Sequence, residues 1–441
     1  MVGVFKTYDI RGLYPDELSE EKAFFIGRTI QRILHPKRVV IGYDMRKSSR
    51  RYLHELTHAL TSAEITVIGR TSSPLLYFST IHGQYNLGIM LTASHNPAAY
   101  GGIKFMLPNG MPVAKGSGME LLERHYLEKK EQFPRRAKIQ HCSYLKEYIA
   151  RIRGAVQPGK QLKIVVDYGN GIMHAVAKHF WHHLPWVRVI ELNEKPDGNF
   201  PHHIPNPVMP ENMRELQAAV KKHKADLGIA FDGDGDRVGF VDEQGHIVPN
   251  DLACLVLVLN EFRTTRNAWT VYHDFRFSPV FEEVIKAAGG RAEKSHVGTL
   301  YYKKRLIREG GVLGCEYSGH IMYRDNDSID DGLYAAAKML HLLGESSKKC
   351  SQLIAPFDEY LPLAESNYPL HDLDRVIVAL RKKFAGCHVD FFEGVSVRGK
   401  GFWFNLRKSN TEPVLRVSVL AKTRRQAAHI EKTLATIIKR A

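Results

Sequence analysis

No stretch of this chain is apolar for long enough to cross a bilayer. A spanning helix needs about 20 consecutive apolar residues, and the best run, Ala253-Cys-Leu-Val-Leu-Val-Leu259, is part of a core helix at most. Cysteine is scarce. The five present (Cys142, Cys254, Cys315, Cys350, Cys387) are odd in number and lack metal-type spacing, which excludes a disulfide framework and a thiolate metal site and fits free thiols in a reducing compartment. The first residues, MVGVFKTYDIRG, lack the basic-then-apolar pattern of a secretion signal, so a cytoplasmic location is expected. Low-complexity tracts and short-period repeats are missing too. Acidic residues are the minority: 47 Asp and Glu against 62 Lys and Arg leave a net charge of +15. The cations are spread along the whole chain without a long basic run or a nucleic-acid-binding signature. The charge alone leaves open nucleic acid and small anionic substrates, which a basic surface would steer in as well; without such a signature no nucleic-acid partner is expected, and no membrane partner either.

What is there reads as a globular protein, with 44% hydrophobic and 25% charged residues. At about 100–200 residues per domain, the 441 residues allow three or four domains. Short apolar strands alternate with amphipathic helices, which predicts α/β layers with mainly parallel strands. Arg38-Val-Val-Ile-Gly-Tyr43 and residues 86–93 read as strands of a first unit, closed by a polar linker at 129–138. A second unit has a buried strand at Leu162-Lys-Ile-Val-Val-Asp167, a helix over 173–183 and a strand at Asp226-Leu-Gly-Ile-Ala-Phe231. A third carries a strand at 269–273 and helices at 280–288 and 331–343. The last differs, with a helix at 373–384, extended segments ending in Leu415-Arg-Val-Ser-Val-Leu420, and a closing helix at 424–440. The three α/β units are similar in size, which suggests a distant internal repeat. The expected domains are residues 1–138, 139–247, 248–355 and 356–441.

Four stretches carry chemistry. In Thr92-Ala-Ser94-His95-Asn96-Pro97, which follows an apolar run and leads through Gly101-Gly102 to Lys104, the serine is either a hydroxyl satisfying a turn or a nucleophile. In Asp232-Gly-Asp234-Gly-Asp236-Arg237, three carboxylates at alternate positions, separated by glycines, converge hard oxygen ligands on a divalent cation. A calcium EF-hand is excluded because Arg237 stands at the sixth position, where glycine is needed, and the flanks are strand-like. Few ligands besides the carboxylates leave room for a phosphate oxygen, which suits magnesium. In Gly314-Cys-Glu316-Tyr-Ser318-Gly-His320, a carboxylate and a hydroxyl two residues apart in extended chain point the same way, fit for sugar hydroxyls or for satisfying a loop. In Arg407-Lys-Ser409-Asn410-Thr411-Glu-Pro413, followed by Arg416, a guanidinium, hydroxyls and turn amides form either a phosphate cradle or a surface turn.

In this order and at about these intervals, the four stretches resemble the α-D-phosphohexomutase superfamily over the full length, most like bacterial and archaeal phosphomannomutase/phosphoglucomutase members. Tyr8-Asp-Ile-Arg-Gly12, Asp197-Gly-Asn-Phe-Pro201 and Asp330-Asp-Gly332 also look like family segments. The resemblance implies four domains around a central cleft, three similar α/β domains with mixed sheets and a smaller C-terminal α+β domain. It implies an isomerase that interconverts hexose 1-phosphate and 6-phosphate, with Mg2+ and hexose 1,6-bisphosphate as intermediate and activator. Ser94 would be the phosphoserine, holding the metal through a phosphate oxygen together with Asp232, Asp234 and Asp236. Arg11, His95 and Arg237 would stabilise the transferring group, Lys104 would orient it or assist proton transfer, and His320 is an acid/base candidate. Glu316 and Ser318 would bind sugar hydroxyls, Arg407, Ser409, Asn410, Thr411 and Arg416 the remote phosphate, and Arg276 and Gly298 the sugar or phosphate. Ser-Asn-Thr-Glu-Pro resembles mannose/glucose enzymes, whereas phosphoglucosamine mutases, the alternative, usually carry Ser-Gly-Thr. The third-domain loop reads His296-Val-Gly-Thr299 where many mannose/glucose enzymes have Thr-Gly-His, which leaves the sugar open. A metal-dependent phosphatase and a non-catalytic anion binder are the rival classes. A monomer or homodimer is expected.

Overall fold

The computed structural model describes residues 3–126, 137–265, 269–362, 365–369, 373–408 and 414–440. Among them the chain forms four sheets, one for each of four domains. The first runs Ile10–Leu13, Tyr100–Met106, Leu87–Leu91, Arg38–Tyr43, Glu64–Arg70, Lys138–His141. Its last four strands are parallel, and Tyr100–Met106 turns back antiparallel on Leu87–Leu91. The second runs Ile247–Val248, Val238–Asp242, Leu227–Phe231, Leu162–Asp167, Val187–Leu192, with Val238–Asp242 antiparallel to Leu227–Phe231. The third runs Arg291–Ser295, Thr270–Asp274, Leu313–Cys315, Ile321–Tyr323, with the last pair again antiparallel. The fourth is antiparallel throughout and is covered by helices Leu373–Lys383 and Arg424–Arg440.

One device recurs in the first three domains. A buried parallel strand stops, the chain reverses, and the next strand pairs with it antiparallel. The reversals are residues 92–99, 232–237 and 316–320, three of the four stretches singled out in the sequence. A neighbouring strand in each domain also ends in, or in the first domain is directly followed by, an aspartate that accepts the N–H two residues on: Asp44 from Arg46 at 2.9 Å, Asp167 from Gly169 at 2.9 Å, Asp274 from Arg276 at 3.0 Å. Such short-range turns stop a strand by offering its backbone a local partner.

One apolar face of each of these domains joins a shared core, from Leu76 and Tyr148 through Ile164 and Phe231 to Leu255 and Leu340; the other face of the first sheet packs a separate core around Ile26, Val39, Ile89 and Phe105, and the C-terminal domain another around Val397, Phe404, Leu415 and Leu434. Several expected boundaries shift for local reasons. The strand read at 269–273 is Thr270–Asp274, because pairing begins at Thr270 opposite Arg291. The helix read at 331–343 is Gly332–Glu345, since Asp331 caps it, accepting the Tyr334 N–H at 3.0 Å. The apolar run at 253–259 belongs to the longer helix Asn250–Thr265, buried over most of its surface and so without a polar face to betray its length. The linker read at 129–138 lies, but for its last two residues, outside the described residues.

Candidate active site

Strand Leu87–Leu91 is buried throughout and delivers the chain to Thr92, whose hydroxyl accepts the Ser94 N–H at 2.9 Å. Ser94 sits at φ 50°, in the left-handed region that L-residues seldom adopt. What holds it there is Arg46. Its guanidinium donates to the carbonyls of Ser94 (2.7 Å), Asn96 (2.6 Å), Pro97 (2.8 Å) and Tyr100 (3.1 Å). Arg46 is itself paired with buried Asp44 at 3.2 Å and lies over the Phe200 ring of the second domain. The serine loop is therefore clamped from behind, and its hydroxyl faces inward.

Opposite it, the reversal after Leu227–Phe231 presents the three aspartates, all buried. Gly233 has to lack a side chain, because a Cβ there would run into the Ser94 carbonyl. The Ser94 hydroxyl donates to Asp232 at 2.7 Å. Lys104, on the antiparallel strand Tyr100–Met106, donates to Asp234 at 2.6 Å and Asp236 at 2.7 Å, and the Ser73 hydroxyl reaches Asp234 at 2.5 Å. One oxygen from each carboxylate lies within 4.8 Å of the others.

These groups are electrostatically crowded. Burial, with Asp236 and Asp234 adding to it, pushes Asp232 well above the usual carboxylate range. Burial pushes Asp234 up as well, but Lys104 and Ser73 outweigh it and hold Asp234 below that range. For Lys104 burial works toward the neutral form, and the two carboxylates override it and raise its pKa well above the ordinary value. One ammonium thus faces three carboxylates. Oδ1 of Asp234 and Oδ1 of Asp236 remain buried without a hydrogen-bond partner, a donor set that suits a hard divalent cation.

A cavity of about 380 Å³ with many charged side chains on its wall opens in front of this cluster. Ser94, His95, Lys104, Arg11, Asp236, Arg237, Gly298, Glu316 and His320 line it, so the structure brings together predicted residues from three domains. Arg11 donates to Asn96 and Asp9. The His95 ring lies 3.0 Å from the Ser94 hydroxyl, and burial together with Arg237 and Arg11 drives its pKa far below the ordinary value, so the imidazole is a neutral hydrogen-bonding group. On the far wall Glu316 accepts the Gly298 N–H at 2.7 Å and the Ser318 hydroxyl at 2.5 Å.

The remaining predicted residues stand apart. Arg276 is fixed by Asp274 and lies over the Tyr317 ring, next to the cavity rather than on its wall. Arg407, on strand Phe402–Lys408, pairs with Glu365 at 2.7 Å and lies over the Phe275 ring, bridging the third and fourth domains. Arg416 approaches the same Glu365 at 3.6 Å. Arg276, Arg407 and Arg416 form a second, basic pole. Ser409, Asn410 and Thr411 lie outside the described residues.

Sequence reasoning missed three supports. Arg46, Ser73 and Lys303 act on groups 48, 161 and 27 positions away in the chain, and no local motif marks them.

Family models for phosphoglucomutase/phosphomannomutase match four consecutive segments: alpha/beta/alpha domain I at residues 3–133, domain II at 142–245, domain III at 250–360 and the C-terminal domain at 367–437. The chain is 33% identical over 428 residues to a phosphomannomutase of Methanocaldococcus jannaschii, covering 95% of this chain and 93% of that protein. It is 31% identical over 438 residues to a phosphomannomutase/phosphoglucomutase of Pseudomonas aeruginosa, covering 97% and 94%. Among solved structures, a phosphoglucomutase/phosphomannomutase family protein of Burkholderia thailandensis superimposes with a TM-score of 0.90 at 28% identity, over 100% of this chain and 97% of that one. The chain belongs to the phosphoglucomutase/phosphomannomutase family.

Proposed function

We propose that the protein is a phosphohexomutase that moves phosphate between O1 and O6 of a hexose, through a phosphorylated Ser94 and a hexose 1,6-bisphosphate. The observation that carries this reading is the Ser94 hydroxyl on Asp232 at 2.7 Å, in a carboxylate cluster in which Lys104 bridges Asp234 and Asp236, facing an open cavity lined by charged side chains from three domains. The domains fall at residues 1–141, 142–247, 248–355 and 356–441, one of the four stretches in each; the first boundary moves from the expected 138 to 141 because strand Lys138–His141 pairs with Glu64–Arg70 in the first sheet. Asp232, Asp234 and Asp236, joined by an oxygen on phospho-Ser94, would hold Mg2+; when bound, the ion neutralises charge on the transferring phosphoryl group.

The chain's own residues do the rest. Arg11 and Arg237 face the equatorial oxygens, His95 supplies a neutral hydrogen bond, and Lys104 keeps the carboxylates paired while reaching the reacting group. Glu316 and Ser318 receive sugar hydroxyls. His320 accepts the proton of the attacking hydroxyl and later returns it. The basic pole of Arg276, Arg407 and Arg416, with Ser409, Asn410 and Thr411, grips whichever phosphate is not reacting. A phosphatase would have no use for that second grip. No helix among the described residues is long and apolar enough to span a membrane, and we infer a cytoplasmic enzyme acting on small phosphosugars as a monomer or homodimer.

Mannose and glucose appear in the relatives' names, so their phosphates are the first substrates to try, with glucosamine 6-phosphate as the comparator. A coupled assay should show interconversion of the 1- and 6-phosphates that needs Mg2+ and is stimulated by the 1,6-bisphosphate. Release of inorganic phosphate without isomerisation would reject the mutase reading.

A further inference from the structure

The two ring nitrogens of His320 face different kinds of partner. Its Nε2 lies 2.9 Å from Nε of Arg237, and a guanidinium can only donate, so Nε2 carries a lone pair. Its Nδ1 lies 3.2 Å from the Asp236 carbonyl oxygen and 3.2 Å from Oδ2 of Asp330, both acceptors, so Nδ1 carries the proton. The Asp330 carboxylate is buried, and its other oxygen is 2.5 Å from the ammonium of Lys303, which is buried as well. Lys303 comes from helix Thr299–Glu309 of the third domain and lies over the ring of Tyr77 from the first. A carboxylate held this firmly behind an imidazole has one neutral tautomer to offer it.

We propose that Asp330, neutralised by Lys303, is a positioning residue that fixes His320 as the Nδ1–H tautomer with its Nε2 lone pair turned to the sugar hydroxyl. The inference rests on the mutase reading above. Arg237 donates to that lone pair here, and a bound phosphoryl group would draw the guanidinium to itself and free it. As the hydroxyl oxygen bonds to phosphorus and the bond between phosphorus and Ser94 Oγ breaks, the hydroxyl proton passes to Nε2. The Ser94 oxygen keeps the bonding pair. The imidazolium is held by its Nδ1–H against Asp330. In the second half-reaction the Ser94 oxygen takes the other phosphate, the sugar oxygen leaves with its electron pair, and the proton on Nε2 returns to it. Atoms and charge balance over the cycle, and His320 ends as it began.

The test uses single-turnover transfer from phosphorylated full-length enzyme and steady-state rates with both isomers. Asp330→Asn can present an amide N–H to Nδ1 and favours the wrong tautomer, so kcat should fall about 100-fold or more, the scale of general acid–base catalysis, while KM stays within about twofold. In a His320→Ala background the same substitution should change the transfer rate by less than about twofold, because it acts only through the histidine. Asp330→Asn leaves Lys303 as an unpaired buried cation and can unfold the protein, so Lys303→Met/Asp330→Asn, which removes both charges, is measured alongside. This double variant should regain the thermal stability lost by Asp330→Asn yet keep the low kcat. A double variant with wild-type kcat, or a full multiplicative loss on top of His320→Ala, overturns the proposal. Wild-type enzyme without mutase turnover, or His320→Ala with normal turnover, rejects the underlying reading and this inference with it.

Discussion

Replacing Lys104 by Met removes the one ammonium that bridges Asp234 and Asp236, at 2.6 and 2.7 Å. Methionine keeps the length and apolar stem of the side chain, so the change is chiefly one of charge. Lys104 is largely buried and the two carboxylates fully so. Deleting one partner of a buried ion pair typically costs about 3–5 kcal/mol, most of it from the charge left behind. In chelator the variant should therefore lose stability on that scale in the transition that unfolds the first and second domains. A divalent cation on the same carboxylates should restore it: a ligand at about 100 times its Kd stabilises by about 2.7 kcal/mol. The wild type should gain less from Mg2+, because there Lys104, on the Oδ2 atoms, already neutralises the carboxylates whose Oδ1 atoms the ion would take. The assay is urea unfolding of both proteins in chelator and in saturating Mg2+. Equal unfolding midpoints in chelator, or a larger Mg2+ gain for the wild type, would refute the idea that Lys104 offsets the carboxylates in place of a cation.

Arg407→Ala should raise KM for the 1- and 6-phosphate alike by roughly tenfold to hundredfold, the worth of a charge-assisted hydrogen bond, and should increase the bisphosphate needed to sustain turnover; unchanged values would remove the basic pole from the site. Gly233→Ala should abolish transfer by pushing the serine loop off the carboxylates while leaving Arg407-dependent phosphate binding intact, measured by competition with a phosphosugar. His203 gives a pH signature outside the site. Burial alone would lower its pKa, but the hydrogen bond to Asp167 at 3.0 Å outweighs that and raises it. A raised folded-state value adds stability that is fully present below the unfolded pKa of about 6.5 and is lost as pH rises through the folded one. The melting-temperature advantage of wild type over His203→Gln should thus be larger at pH 6 than at pH 9, and a pH-independent difference would contradict the ion pair.

The strands whose β-branched runs are buried on both faces were legible from the sequence: Arg38–Tyr43 and Leu162–Asp167 emerge with the ends their residues imply. The three reversals could be read as sites because each concentrates polar residues immediately after such a run. Less legible was anything that depends on residues far apart in the chain. Arg46 looks like an ordinary helix-flanking arginine until the fold lays four carbonyls against its guanidinium. Lys303 reads as one of several cations on an amphipathic helix, and only packing against Asp330 and Tyr77 shows that it is buried. Arg276 was identified as a basic residue near the substrate, but its tie to Asp274, which fixes its direction, is visible only in three dimensions.

The central claim is that phosphate passes from Ser94 to a sugar and not to water, and a single turnover tests it most directly. Enzyme labelled with radioactive phosphate on Ser94, confirmed by peptide mass spectrometry, is mixed with unlabelled mannose 1-phosphate or glucose 1-phosphate in Mg2+ and quenched over time. The account predicts that label leaves the Ser94 peptide as hexose 1,6-bisphosphate at a rate matching turnover, and that Ser94→Ala takes up no label. Label appearing as inorganic phosphate at that rate, or residing on a residue other than Ser94, would contradict it.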